Sequence, residues 1–270
     1  MIPTGDLGLL DGFERALING RLNMVYQPKI SLVDGALKRV EALVRWDDPD
    51  MGPIPPSRFV PLAERHGLID ELTQWGLRTT LRQWLAWQAD GLDTCLAFNI
   101  SALSLDQLDF PDLVERMCRA LEVPAERLVL ELTESATQPL VKLMDTLTRF
   151  RIKGIGLAID DFGVGYSSLM QLRQFPFTEV KIDRFFVDDA PTSKDSALIV
   201  KCIIELAHGL GLTVTAEGVE TEAQLRLLRS LDCDVAQGYF IARPLEPQAL
   251  KSWVAEWQRR WPALLEPVAA

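Results

Sequence analysis

Short aliphatic and β-branched runs alternate with longer amphipathic segments along almost the whole chain, and this alternation constrains the fold more than any other feature. The runs are NMVYQPKI, LKRVEALV, TCLAFNI, RLVLEL, IGLAID, EVKI, LTVTA and CDVAQGYF. Between them lie stretches of helical period such as SRFVPLAERHGLIDELTQWGLRTTLRQWLAW, SLDQLDFPDLVERMCRAL, QPLVKLMDTLTRFR, SALIVKCIIELAHGLG and EAQLRLLRSL. Eight strand and helix alternations in about 250 residues point to a TIM-type (β/α)8 barrel, since an open doubly wound sheet usually uses five or six strands. DLGLLDGFERALING reads as an extra N-terminal helix and KSWVAEWQRRWPALL as a helix closing the barrel. No proline- or serine-rich linker interrupts the pattern, so residues 1–270 are expected to form one domain, with the motif-bearing core at about 20–250.

A hydrophobic content of 48% with 24% charged residues suits a chain with a sizeable core. The formal net charge of −10 argues against a broad electrostatic grip on nucleic acid or on an acidic membrane surface, but not against a small anion held through metals. No run approaches the about 18 apolar residues that a membrane span needs, and the start lacks a signal-peptide layout. A cytosolic protein is expected. Cys95, Cys118, Cys202 and Cys233 have no paired spacing and read as buried or semi-buried thiols, and His66 and His208 lie far apart.

In a barrel of this type, chemistry sits at the C-terminal ends of the strands. The second run closes on Glu41, the third on Asn99, the fourth on Glu131, the fifth on Asp160 and Asp161, the sixth on Lys181, the seventh on Glu217 and the eighth on Gln237. So many carboxylates around a mouth about a nanometre wide are untenable without cations. Oxygen donors without cysteine or histidine favour magnesium or manganese. With side chains alternating along a strand, Asp160 is expected to end its strand pointing inward while Asp161, already in the loop, turns back beside it. Such a pair can serve two ions about 3.5–4 Å apart, the geometry of two-metal phosphoryl hydrolysis, with Lys181 supplying a positive group.

Taken singly, each residue has an ordinary explanation: a solvated acid for Glu41, a turn for Asn99, helix-terminus charge for Glu131 and Glu134, a cap for the aspartates. Their joint occurrence, one per strand end, favours a site. In order along the chain stand YQPKI, EALVRW, FNIS, ELTES, DDFGVGYSSL, VKIDRFFV, AEGVET and QGYFIARPL. This series closely resembles the EAL domains, bacterial phosphodiesterases of the second messenger cyclic di-GMP.

The resemblance implies a barrel whose first strand runs antiparallel, and hydrolysis of cyclic di-GMP to linear 5′-pGpG supported by two Mg2+ or Mn2+ ions and inhibited by Ca2+. It implies Glu41, Asn99, Glu131 and Asp160 around the first ion, and Asp160, Asp161 and Glu217 around the second. Lys181 would contact the catalytic water, and Glu41, Asp161, Lys181 and Glu217 would form the catalytic set. Arg45 matches a phosphate-binding arginine, and Gln27, Leu43, Glu220 and Gln237 match positions lining the substrate cleft. Phe162, Gly163, Val164 and Gly165 match a loop that couples the metal site to dimerisation, anchored by Glu134. Val164 departs from the commoner threonine. A homodimer is a further implication, and the chain is expected either to act alone or to be a piece of a longer regulator with a sensor or receiver domain. Two other functions compete: a silent cyclic di-GMP receptor, which usually lacks one or more of these acids, and an enolase-like proton abstraction.

Overall fold

The computed structural model describes residues 4–133, 140–163 and 169–265. The expected alternation is present. After α1 (Thr4–Ile18) come β1 (Leu22–Ser31), β2 (Leu37–Asp48), β3 (Gly52–Ile54), α2 (Pro56–Arg65), α3 (Ile69–Ala89) and β4 (Cys95–Ile100). Then follow α4 (Phe110–Ala120), β5 (Leu128–Thr133), α5 (Leu140–Ile152), β6 (Gly156–Phe162), α6 (Leu169–Gln174) and β7 (Glu179–Ile182). The chain continues through α7 (Arg184–Asp189), α8 (Lys194–Gly209), β8 (Thr213–Ala216), α9 (Glu222–Ser230), β9 (Val235–Ala236) and α10 (Leu250–Leu265).

Eight staves close a barrel in the order β1-β9-β8-β7-β6-β5-β4-β2, with β2 pairing back to β1. β1 is antiparallel to both its neighbours, and the other pairs within the barrel are parallel. This is the expected TIM-type barrel with a reversed first strand and an N-terminal helix. Three details differ from the sequence reading. β2 does not stop at Glu41 but runs to Asp48, because its long ladder with β1 and a short antiparallel partner, β3, keep its backbone bonded beyond the barrel. The long stretch from Ser57 to Trp87 is two helices, parted at Gly67, whose positive φ of 72° ends the turn after α2. The short α6 and α7 carry too few residues for a helical period to register.

Alternation along each stave sorts the side chains. On β5, Leu128, Leu130 and Leu132 point outward into a cluster with Leu96, Phe98, Leu147 and Phe150, while Glu131 points into the barrel. A second cluster joins Ile159, Val180, Ile182 and Val214 to Val200, Ile203 and Ile204 of α8. The apolar core is therefore the ring between strands and helices, where each buried aliphatic side chain contributes roughly 1.5–3 kcal/mol. α1 seals a third cluster, with the Phe13 ring edge-on to Trp46 at 5.6 Å. α10 covers the end opposite the mouth, Trp257 donating its indole N–H to the Gly35 carbonyl at 3.0 Å in the β1–β2 turn. Of the four thiols expected to be buried or semi-buried, Cys202 is instead exposed, because it stands on the outer face of α8.

Candidate active site

With the apolar residues facing outward, the barrel interior is left to charge. Lys181 of β7 is 1% exposed, and its ammonium lies 2.7 Å from Glu131 Oε2, 3.0 Å from Asp160 Oδ2 and 2.8 Å from Glu217 Oε1. Three carboxylates from three staves thus converge on one amine. Burial alone would lower the lysine's pKa, but these acids and Glu41 raise it well above its ordinary value, so it is an ammonium at neutral pH.

Glu41, in the middle of β2, accepts from Asn99 Nδ2 on Oε1 at 2.7 Å and from Gln237 Nε2 on Oε2 at 2.7 Å. Burial works to raise its pKa, but Lys181, Lys29 and these two amides hold it at about 2. Gln237 Nε2 also donates to Gln27 Oε1 at 3.1 Å, and Gln27 Nε2 to the Ala242 carbonyl at 3.0 Å. Among the described residues nothing bonds to the buried Gln237 Oε1, an acceptor left at the floor of the cleft.

The side-by-side aspartates have a structural cause. Ile159 pairs with Val180 and Phe162 with Ile182, so β6 carries one residue more than β7 across this interval, a β-bulge. Within it Asp161 takes a φ of 54°, and its N–H donates to Asp160 Oδ1 at 2.9 Å. The bulge lets both carboxylates reach one rim, where a simple strand would separate them. β6 continues through Phe162, so Asp161 turns back from inside a bulged strand and not from the loop. Carboxylate oxygens of Asp160, Asp161 and Glu217 lie within 4.8 Å of one another. Burial and the Asp160 and Asp183 charges raise Asp161 to about 6, and burial raises Glu217 to about 8 despite Lys181. Both shifts come first from burial, and the neighbouring acids add to it. Gly163 follows with a φ of 97°, and a Cβ there would stand 3.0 Å from the Phe186 ring, so the chain leaves the rim through a residue without a side chain.

Among the described residues the interior holds Arg39, Lys29 and Lys181 against Glu179, Glu131, Glu41, Asp160 and Glu217. Five carboxyl groups face three cations before Asp161 is added. An all-oxygen donor set with this excess fits divalent cations of the magnesium or manganese kind.

A cleft of about 260 Å3 opens over the ring, bounded by Leu43, Glu220 and Tyr239 among others. Beside it lies a more apolar hollow of about 490 Å3, reached past Leu43 and Arg45 and walled by Trp75 and Phe98. Arg45 lines this hollow and donates from Nη1 to the Val44 carbonyl at 2.8 Å. Glu220 sits at the start of α9, its N–H held by Gln224 Oε1 at 2.7 Å.

The structure therefore brings together Glu41, Asn99, Glu131, Asp160, Asp161, Lys181, Glu217, Gln27 and Gln237. It places Leu43 and Glu220 on the cleft wall and Arg45 next door. Phe162 is buried in the ring behind the rim. Glu134, Val164 and Gly165 lie outside the described residues. Sequence reasoning missed Lys29, fully buried with its ammonium on Glu131 Oε1 and 3.6 Å from Glu41, and also Asp183 and Arg184 on the cleft wall. The signal for Lys29 was available: it is two residues from Gln27 on one strand and so shares its face.

The family model described as the EAL domain matches residues 11–244. Cyclic di-GMP phosphodiesterase RocR of Pseudomonas aeruginosa is 38% identical over 253 residues, covering 92% of this chain and 63% of RocR. Oxygen sensor protein DosP of Escherichia coli is 38% identical over 244 residues, covering 90% of this chain and 30% of DosP. The chain thus spans between about a third and two thirds of the length of these relatives. Among solved structures, the PaMucR phosphodiesterase in complex with c-di-GMP superposes with a TM-score of 0.85 at 39% identity, covering 90% of this chain and 99% of that one. Sequence, barrel topology and the ordered acids agree: the chain belongs to the EAL domain family.

Proposed function

We propose that this chain is a single EAL domain that hydrolyses one phosphodiester bond of cyclic di-GMP, giving linear 5′-pGpG, with two Mg2+ or Mn2+ ions as cofactors. The observation that carries the reading is the Lys181 ammonium held by Glu131, Asp160 and Glu217 beside the bulged Asp160–Asp161 pair. A barrel that only bound the nucleotide would have no need of so costly a concentration of buried charge.

Glu41, Asn99, Glu131 and Asp160 would hold one ion, and Asp160, Asp161 and Glu217 the other. When bound, such ions neutralise phosphate charge and bring the pKa of water toward neutrality. The chain's own groups do the rest. Gln27, Leu43, Glu220 and Gln237 orient the substrate, Gln237 Oε1 offering an acceptor to an ordered water. Arg45 offers its guanidinium fork to a phosphate from the adjoining hollow, whose apolar walls suit a base. Lys181, permanently charged, cannot take a proton and instead donates hydrogen bonds to the attacking water and the phosphoryl oxygens. Asp161 and Glu217 share the rim with Asp160 and would complete the catalytic set with Glu41 and Lys181, holding the second ion and the water it carries.

Association and setting belong to the same reading. α8 exposes Leu198, Ile199 and Leu206 beside its buried face, and Leu210 follows at its C-terminal end. Covering this apolar surface with a second copy of the chain is what supports a homodimer. Relatives of greater length support a parent protein with a sensor or receiver domain. No helix among the described residues is long and apolar enough to cross a membrane, and we place the domain in the bacterial cytoplasm.

The test is incubation of the purified chain with cyclic di-GMP and Mg2+ or Mn2+, a Ca2+ control, and chromatography of the products. Appearance of 5′-pGpG that is lost in Glu41→Ala and suppressed by Ca2+ supports the reading. Tight binding of cyclic di-GMP without product would make the domain a receptor.

A further inference from the structure

Lys29 contributes nothing to the cleft wall, yet it is among the largest side chains that the protein buries completely. It stands on β1, the one reversed stave, in register with Arg39 on β2 and two residues from Gln27. Its ammonium meets Glu131 Oε1, while the other oxygen of the same carboxylate, Oε2, accepts from Lys181 at 2.7 Å. Glu131 is thereby clamped between two ammoniums from opposite sides of the barrel. Lys29 also lies 3.6 Å from Glu41 Oε2, the oxygen that accepts from Gln237. One lysine therefore touches two of the carboxylates assigned above to the same ion.

The two lysines are not equivalent. Lys181 sits among the acids of the rim, Asp160 and Glu217 as well as Glu131. Among the described residues Lys29 forms ion pairs with Glu131 and Glu41 alone, and it does not line the cleft.

We propose that Lys29 is a positioning residue that acts as a fixed internal counter-ion of the metal ring: it orients Glu131 and Glu41 and, by its charge, limits how tightly the ring holds divalent cations. The inference rests on the reading of this ring as a metal site. It assigns Lys29 two opposed effects. Its charge holds the crowded acids together without metal, and the same charge would repel a divalent ion held by those carboxylates through a medium of low effective dielectric. Removing it therefore weakens the metal-free fold and strengthens metal binding, whereas a lysine that merely filled space or closed a structural ion pair would leave metal affinity unchanged or lower it.

The test compares the full chain with its Lys29→Met, Lys29→Gln and Lys29→Arg variants, measuring Mn2+ affinity by titration calorimetry and thermal midpoints with and without Mn2+. The expected result is a lower metal-free midpoint for Met and Gln, a Mn2+ dissociation constant at least threefold smaller than that of the unaltered chain, and a larger Mn2+-induced rise in midpoint. Lys29→Arg should restore both values towards those of the unaltered chain. If Lys29→Met fails to fold, Lys29→Gln against Lys29→Arg carries the comparison, since the two differ in charge. Affinity that is equal or weaker in Met and Gln overturns the counter-ion role while leaving the metal site intact. An unaltered chain that takes up no Mn2+ overturns both.

Discussion

The backbone N–H of Asp161 donates to the carboxylate of Asp160 at 2.9 Å, and this single contact ties the geometry of the rim to the backbone of β6. The bulge it stabilises holds Asp161 at a φ of 54°, a conformation that aspartate tolerates better than alanine does. Backbone strain and metal ligation at this position should therefore separate. In metal-free unfolding, Asp161→Gly should be more stable than Asp161→Ala by about 1 kcal/mol, while both lose Mn2+ affinity. Equal stabilities in urea titrations would show that the bulge does not constrain this residue.

Lys181 is the second point of leverage. Replacing it with methionine leaves Glu131, Asp160 and Glu217 facing one another without their shared ammonium. Breaking such a buried network costs about 3–5 kcal/mol, so the metal-free variant should unfold at much lower denaturant. Added Mn2+ should recover part of that stability, and hydrolysis should still fall by about two orders of magnitude or more, because the hydrogen bonds to the reacting groups are gone.

Stability without metal should depend on pH in two opposite ways. Glu41, held at about 2 against an ordinary 4.5, contributes stability that is present above about pH 4.5 and lost as pH falls towards 2. Glu217, raised to about 8, keeps its proton in the fold while the unfolded chain releases it above about 4.5, so its effect is a loss of stability as pH rises from 4.5 through 8. Divalent cations favour the ionised form. The Mn2+-induced rise in thermal midpoint should therefore grow between pH 6 and 8.5, and Glu217→Gln should flatten that growth.

The turn after Gln237 depends on close backbone approach. A Cβ on Gly238 would lie 2.1 Å from the Val219 carbonyl oxygen, and Val219 N–H donates to the Gln237 carbonyl at 3.0 Å. Gly238→Ala should push apart the segments that carry Gln237 and Glu220. The account expects a higher KM for cyclic di-GMP together with a lower melting temperature, and an unchanged KM would mean that these segments do not set substrate position.

Association should respond to α8. Leu206→Glu places a charge in the exposed apolar surface formed with Leu198, Ile199 and Leu210. The proposed homodimer predicts a dimer in light scattering for the unaltered chain and a monomer for the variant, with the secondary structure unchanged by circular dichroism; equal masses for the two would contradict it.

Much of this arrangement was legible before any coordinates, because strands in a barrel announce themselves by aliphatic runs and deliver chemistry at fixed ends. All eight staves fell where those runs lie, and Asn99, Glu131, Asp160, Lys181, Glu217 and Gln237 stand at or near strand ends. What escaped the sequence has physical reasons. Glu41 is in mid-strand because hairpin pairing with β1 and β3 prolongs β2, a tertiary effect that no local pattern carries. The bulge at Asp160–Asp161 is a mismatch of register with β7 and exists only between two strands. Lys29 carries no strand-end signal because β1 runs the other way, so its inward residues do not fall at the C-terminal strand ends that form the mouth.

The proposed chemistry requires the acids of the barrel mouth to hold two divalent cations over the substrate. The most direct test is anomalous diffraction at the manganese edge from crystals of the domain grown with Mn2+ and cyclic di-GMP. The account predicts two peaks about 3.5–4 Å apart, one among Glu41, Asn99, Glu131 and Asp160 and the other among Asp160, Asp161 and Glu217, with a phosphate over both. Nucleotide bound in the cleft with one peak, or with none at these residues, would contradict it.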